Sequence, residues 1–332
     1  MLFVWLIIHV ISLVSSAEKP DVKIISSGFI YESAPFPECH ASTLVQTDRG
    51  ILASWFGGTH ERHPDVSIYT ALLSQGKWSS PVKVADGVVN NDLRYPTWNP
   101  VLYKKDDGTI ILYYKVGPTP RDWWGVYKTS HDQGKTWSKE IKIPDGLLGP
   151  IKNKPVRLAD GSIFSPSSIE TNDKWTIHAE TSTQNLTAWK KIPIENGAFN
   201  AIQPTVLHHP NGKLQMLCRT QEGKIGVTWS EDQGKSWSPV VASNLVNNNS
   251  GIDGVTLNNG YHLLVCNPIK KGRNKLVLLG SEDGINWEEL IVLEDEKKGE
   301  FSYPAIIQAA DETVHISYTY NRVKVKHVAL AI

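Results

Sequence analysis

Short stretches of alternating apolar and polar residues recur along the chain, as in Thr109-Ile110-Ile111-Leu112-Tyr113-Tyr114 and His315-Ile316-Ser317-Tyr318. Alternation at every second position puts successive side chains on opposite faces of a strand, so each stretch predicts a short, half-buried β-strand. Outside the amino terminus, no long stretch has apolar residues at the 3.6-residue helical period. An all-β chain of many short strands follows.

The one long apolar run is Met1–Val14, followed by Ser15-Ser16-Ala17 and the polar Glu18-Lys19-Pro20. It is shorter than the roughly 20 residues needed to cross hydrocarbon. Its small-residue end reads as a secretory signal peptide, residues 1–17, although the usual basic residue near the start is absent. The expected location is therefore secreted or periplasmic, with residues 18–332 as a single domain and no other segment apolar enough to span a membrane.

A repeat organises that domain. Ser130-His131-Asp132-Gln133-Gly134-Lys135-Thr136-Trp137 recurs as Ser230-Glu231-Asp232-Gln233-Gly234-Lys235-Ser236-Trp237, then in shortened form as Ser281-Glu282-Asp283-Gly284-Ile285-Asn286-Trp287. Weaker copies end at Trp78 and Trp189, so the tryptophans are spaced by 59, 52, 48 and 50 residues. Such a period accommodates four short strands with their turns. Within each copy, Asp is expected to cap backbone N–H groups, Gly to take a positive φ, and Trp to pack beneath the hairpin.

Composition narrows the partner. Thirty-four basic residues balance 34 acidic ones, giving a net charge of zero and no general electrostatic reason to bind nucleic acid. The 12 tryptophans, 25 glycines and 19 prolines suit a strand-and-turn protein. Cys39, Cys218 and Cys266 form no metal-binding pattern and allow one internal disulfide at most.

The Ser-x-Asp-x-Gly-x-Thr/Ser-Trp motif is the Asp box, and the chain resembles the sialidase (BNR-repeat) superfamily. The resemblance covers nearly all of residues 18–332 and implies an all-β, six-bladed β-propeller of sialidase type. It also implies that the Asp boxes are structural and that the site lies at one end of the central channel.

Carried over position by position, the resemblance makes Arg219 and Arg273 two of the family's three carboxylate-binding arginines. Guanidinium forks suit that task because they match a carboxylate bidentately and keep their charge. Tyr303, in Phe301-Ser302-Tyr303-Pro304, matches the nucleophilic tyrosine. Two departures stand out. His40 occupies the place of the first arginine, and Gln203 that of the glutamate which assists the tyrosine. Gln accepts no proton.

In Thr59-His60-Glu61-Arg62-His63-Pro64-Asp65, Asp65 matches the family's acid/base aspartate, and His60 and His63 are further proton-transfer candidates. No third ligand accompanies the two histidines and no acidic loop of EF-hand type occurs, so no metal or other cofactor is expected. Trp98, Asn99, Lys115, Trp124, Lys152 and Lys154, in clusters where blade inner strands are expected to begin, predict a cationic, aromatic-lined pocket for an acidic oligosaccharide or polysaccharide.

The leading expectation is a secreted carbohydrate-active enzyme, hydrolase or lyase, cleaving a glycosidic bond at a uronate with His40, a loop histidine, Asp65 or Tyr303 moving protons. The alternative is an exo-α-sialidase releasing terminal sialic acid. A glycan-binding propeller without turnover is the reading from another class.

Overall fold

The computed structural model describes residues 20–332, so the signal-peptide reading of residues 1–17 lies outside the described residues. Six antiparallel sheets form an all-β, six-bladed propeller. The first blade runs outward from Glu38–Thr47 through Gly50–Gly58 and Ser67–Ser74 to the short outer strands Lys77–Trp78 and Val82–Ala85. The second comprises Thr97–Lys104, Ile110–Val116, Trp124–Ser130 and Ile141–Lys142, and the third Val156–Arg157, Ile163–Glu170, Trp175–Ser182 and Trp189–Pro193. The fourth comprises Ala201–His208, Leu214–Thr220, Lys224–Ser230 and Val241–Val246. In the fifth they are Asp253–Thr256, His262–Cys266, Lys275–Ser281 and Glu288–Asp295. The sixth has Phe301–Gln308, Val314–Tyr320 and Lys324–Ala331, and its outer strand is Lys23–Phe29.

That last pairing closes the ring. Lys23–Phe29 lies antiparallel to Lys324–Ala331, so the beginning and end of the described chain share one sheet and leave no open seam. Apolar residues alternate along the strands and fill the spaces between blades, with Trp55, Phe164, Tyr113, Tyr318 and Phe301 almost wholly enclosed. Cys39, Cys218 and Cys266 are buried free thiols.

The Asp boxes and their weaker copies follow the third strand of the first five blades and so sit at the opposite end of the sheets from the turns that follow the second strand. In the box beginning at Ser230, Asp232 Oδ1 accepts from Ser230 Oγ at 2.8 Å and from Ser236 N at 2.9 Å, and Gly234 N donates to Ser230 Oγ at 2.8 Å. The Ser236 hydroxyl, bonded to Oδ2 at 2.6 Å, is the main reason the Asp232 carboxyl falls to about 2. Gly234 takes φ +86°, and a Cβ there would press on Phe164 of the preceding blade at 3.1 Å. Trp237 packs against that same Phe164, centroid to centroid 5.7 Å. The tryptophan therefore joins neighbouring blades rather than only underpinning its own hairpin.

Four inner strands share a distortion near their first residues. Pairing with the second strand skips two residues after His40, Trp98, Ile202 and Ser302. At each bulge a non-glycine residue takes a positive φ: Ala41 56°, Asn99 36°, Gln203 55° and Tyr303 52°. A bulge re-aims the side chains it displaces, and such strained backbone clusters where a site must be built.

Candidate active site

Both Gln203 and Tyr303 stand on these bulges, and Arg219 is the last residue but one of the second strand of the fourth blade, paired with Ile202. Arg219 Nη1 donates to the Tyr303 phenol oxygen at 2.9 Å and to Gln203 Oε1 at 3.2 Å, while Nε donates to Asn249 Oδ1 at 2.8 Å. Gln203 Nε2 donates to the same phenol oxygen at 3.3 Å. The phenol oxygen thus receives two hydrogen bonds, with an amide donating where the family's glutamate would accept. The guanidinium carbons of Arg219 and Arg273 each lie 5.7 Å from the centroid of the Tyr303 ring.

A third arginine completes the group. Arg322 lies in the turn after the second strand of the sixth blade, with φ +58°. Its Nε meets both oxygens of Glu300 at 3.2 and 3.1 Å, and its Nη1 bonds Glu61. Arg273 Nη1 holds Glu300 Oε1 at 2.9 Å. Burial alone would raise the Glu300 carboxyl, but Arg322 and Arg273 outweigh it and hold it below the ordinary carboxylate value. Ring closure brings Arg322 beside the first blade, where Cys39 N donates to its carbonyl at 2.7 Å. No sequence motif marks Arg322; only the closed ring puts it next to His40.

His40 is 2% exposed, and among the described residues neither ring nitrogen has a hydrogen-bond partner. Its ring lies 4.1 Å from the Tyr303 ring, tilted by 48°. Burial, followed by the charges of Arg322, Arg273, Arg219 and Lys152, pushes its imidazole well below the usual histidine range. It is neutral near pH 7 and poorly suited to store a proton.

The 59–65 loop is held by its own contacts. Asp65 accepts from Thr59 N at 2.9 Å and Thr59 Oγ1 at 2.6 Å, and His63 Nδ1 lies 2.8 Å from its Oδ1. These bonds outweigh burial and lower the Asp65 carboxyl, which favours the carboxylate over a proton-donating acid. Gly58 permits the closure, since a Cβ there would meet Asp65 Oδ1 at 2.6 Å. The exposed His60 bonds the Glu61 carbonyl at 2.9 Å and packs 5.2 Å from the His63 ring.

Several residues expected to line the pocket are instead engaged inside the propeller. Lys152 is buried, donating to Ile252 O and Asn153 Oδ1 at 2.9 Å each and to Pro304 O, and burial lowers it to about 7. Lys154 Nζ meets both Asp253 oxygens at 3.1 and 3.0 Å. Asn153 Nδ2 donates to Gln203 O and Pro204 O at 3.0 Å. Residues 152–154 therefore plug the channel below Tyr303. Lys115 is fully enclosed against Pro150 O, and burial lowers it to about 7. Trp98 is buried, its indole donating to Gly117 O at 2.8 Å. Asn99 is buried on its bulge, and Trp124, half-buried, meets the Tyr95 ring edge-on at 5.8 Å. Two surface clefts lined by residues such as His208, Tyr261 and Glu282 share no residue with the arginine group.

The chain belongs to the BNR repeat-like domain family, whose model matches residues 49–316. No curated protein matches it in sequence. Solved structures share its fold at low identity. A protein of unknown function from Dyadobacter fermentans is 18% identical with a TM-score of 0.77, covering 94% of this chain and 100% of its own. The NanB sialidase of Streptococcus pneumoniae is 13% identical with a TM-score of 0.75, over 92% of this chain and 70% of its own. The intramolecular trans-sialidase of Ruminococcus gnavus is 12% identical with a TM-score of 0.70, over 92% and 97%.

Proposed function

We propose that the protein is a carbohydrate-active enzyme that binds a carboxylated sugar among Arg219, Arg273 and Arg322 and cleaves its glycosidic bond, with sialic acid the favoured sugar. The observation that carries this reading is the convergence of three guanidiniums from the fourth, fifth and sixth blades around Tyr303 and Glu300. Arg322 fills the charge deficit created where His40 replaces the first arginine. Glu300, held between Arg273 and Arg322, marks where a carboxylate is stabilised, and an incoming sugar carboxylate competes for the same donors. Tyr303 then faces the anomeric carbon as nucleophile or as a stabiliser of positive charge, its oxygen fixed by Arg219 and Gln203. The sialidase and trans-sialidase folds among its structural neighbours support the sugar assignment.

A second reading, a uronate-cleaving hydrolase or lyase, is favoured by Gln203, which removes the proton acceptor expected beside a nucleophilic tyrosine. The test is a paired assay of the purified protein with a fluorogenic sialoside and with uronate polysaccharides, followed by reducing ends and unsaturated-uronate absorbance. Sialoside turnover supports the first reading, and uronate cleavage the second. If Arg322→Ala leaves turnover on the cleaved substrate unchanged, the three-arginine site is wrong. Binding without turnover in either arm would make the protein a lectin.

A further inference from the structure

We propose that Glu170, at the end of the second strand of the third blade, is the proton donor to the departing sugar oxygen; the proposal rests on the glycosidase reading above. The second strands run parallel to one another around the ring, so their last residues share one face. Arg219 is the last residue but one at that end in the fourth blade, Leu214–Thr220, and Glu170 the last in the neighbouring third blade, Ile163–Glu170. Two positions earlier on the same side of the strand, Ser168 Oγ accepts from Gln203 N at 3.2 Å, which fixes this edge against the Gln203 bulge. The supporting hairpin is firm: Thr171 Oγ1 donates to Lys174 O at 2.8 Å, and Trp175 N donates to Asn200 Oδ1 at 3.1 Å.

Elimination points the same way. Two other acidic groups touch the arginines, and both are engaged: Glu300 with Arg273 and Arg322, and Glu61 with Arg322; Asp65, the acid matched from the sequence, is held by Thr59 and His63. The Glu170 carboxylate has no hydrogen bond or ion pair among the described residues, and it is half-buried. Arg219, Arg121 and Arg62 face it with positive charge and Glu61 with negative; burial outweighs the arginines and raises its carboxyl above the ordinary glutamate value. A half-desolvated carboxyl with no hydrogen bond or ion pair to hold its charge is the form in which an acid keeps its proton towards neutral pH, here against the pull of the arginines. In the reaction the glycosidic C–O bond breaks as its oxygen takes the Glu170 proton. Water then adds at the anomeric carbon and returns a proton to the Glu170 carboxylate, so the net change is addition of one water.

The experiment compares native protein with Glu170→Gln and Glu170→Asp on 4-methylumbelliferyl N-acetylneuraminide and 3′-sialyllactose, with 4-methylumbelliferyl glucuronide and a uronate disaccharide beside them. An aryl leaving group departs without protonation and a sugar alcohol does not. Glu170→Gln is therefore expected to lose about 10²-fold or more on the sugar-linked substrate but only a few-fold on the aryl one. The basic limb of the pH profile should vanish, and Glu170→Asp should restore part of both. Carbon-13 NMR of labelled glutamate should show Glu170 titrating above the other glutamates, and further upward in Arg219→Met. Equal losses on both leaving groups, an unchanged pH profile, or Glu170 titrating in the ordinary range would overturn the assignment while leaving the glycosidase reading intact. Failure of the native protein to cleave any of the four substrates would overturn that reading and the proton donor with it.

Discussion

Replacing Lys154 with Met tests whether residues 152–154 are a channel plug or part of the sugar pocket. Lys154 is the partner of Asp253, whose side chain is only 3% exposed. The same carboxylate accepts from Thr205 Oγ1 at 2.8 Å and from Ile306 N at 2.9 Å, so one aspartate ties the third, fourth, fifth and sixth blades together. Removing one partner of a buried pair costs about 3–5 kcal/mol, because the remaining charge stays buried without compensation. Here Lys154 is 20% exposed and the hydrogen bonds from Thr205 and Ile306 persist, so about 2–3 kcal/mol is the expected loss. At roughly 2 cal/mol/K per residue, unfolding a domain of about 300 residues carries an entropy near 0.6 kcal/mol/K, and Tm should fall by about 4 °C. Scanning calorimetry would measure it, and Asp253→Asn in the same background should recover part of the loss. Because Lys154 is turned away into this pair, affinity for a carboxylated sugar should change less than two-fold. An unchanged Tm together with a ten-fold loss of affinity would refute the plug and return Lys154 to the pocket.

Two further outcomes are expected. Tyr303→Phe removes the oxygen that Arg219 and Gln203 both bond, so turnover should fall about 10²-fold or more, measured on the cleaved fluorogenic substrate, while Tm moves by no more than about 2 °C. Burial lowers the folded-state value of Lys115 from 10.5 to about 7, so between pH 7 and 10 the unfolded chain binds more protons there than the folded one. Stability should therefore rise with pH across that window. Denaturant titrations of Lys115→Met should show a shallower rise than native protein; an identical slope would mean the lysine keeps its charge when folded.

The fold was legible because its signals are local. Each Asp box encodes its own turn in consecutive residues, and the spacing of Trp137, Trp189, Trp237 and Trp287 sets the length of one blade. Arg219, Arg273 and Tyr303 were matched through the resemblance, the two arginines lying shortly before an Asp box, and the structure brings their side chains together. What the sequence concealed depends on closure of the ring. Lys23–Phe29 carries no motif that announces it as the outer strand of the last blade. Arg322 occupies an ordinary turn sequence, and only that closure brings it beside His40. Burial was the other hidden quantity. Lys152, Lys154 and Lys115 look like a cationic pocket when written in a line, yet backbone carbonyls and Asp253 absorb them. His40, attractive as a proton carrier by residue type, is enclosed among four cationic side chains and kept neutral. Glu170 went unnoticed because nothing around it in sequence distinguishes it; its character comes from three other blades.

The most direct test of the three-arginine site needs no turnover. Isothermal titration of native protein and Arg322→Ala with N-acetylneuraminic acid, glucuronic acid and their methyl esters asks only whether the site reads a carboxylate. The account expects at least one free acid to bind, its methyl ester to bind ten-fold or more weakly, and Arg322→Ala to abolish the difference. Equal affinity for acid and ester, or full discrimination without Arg322, would contradict it.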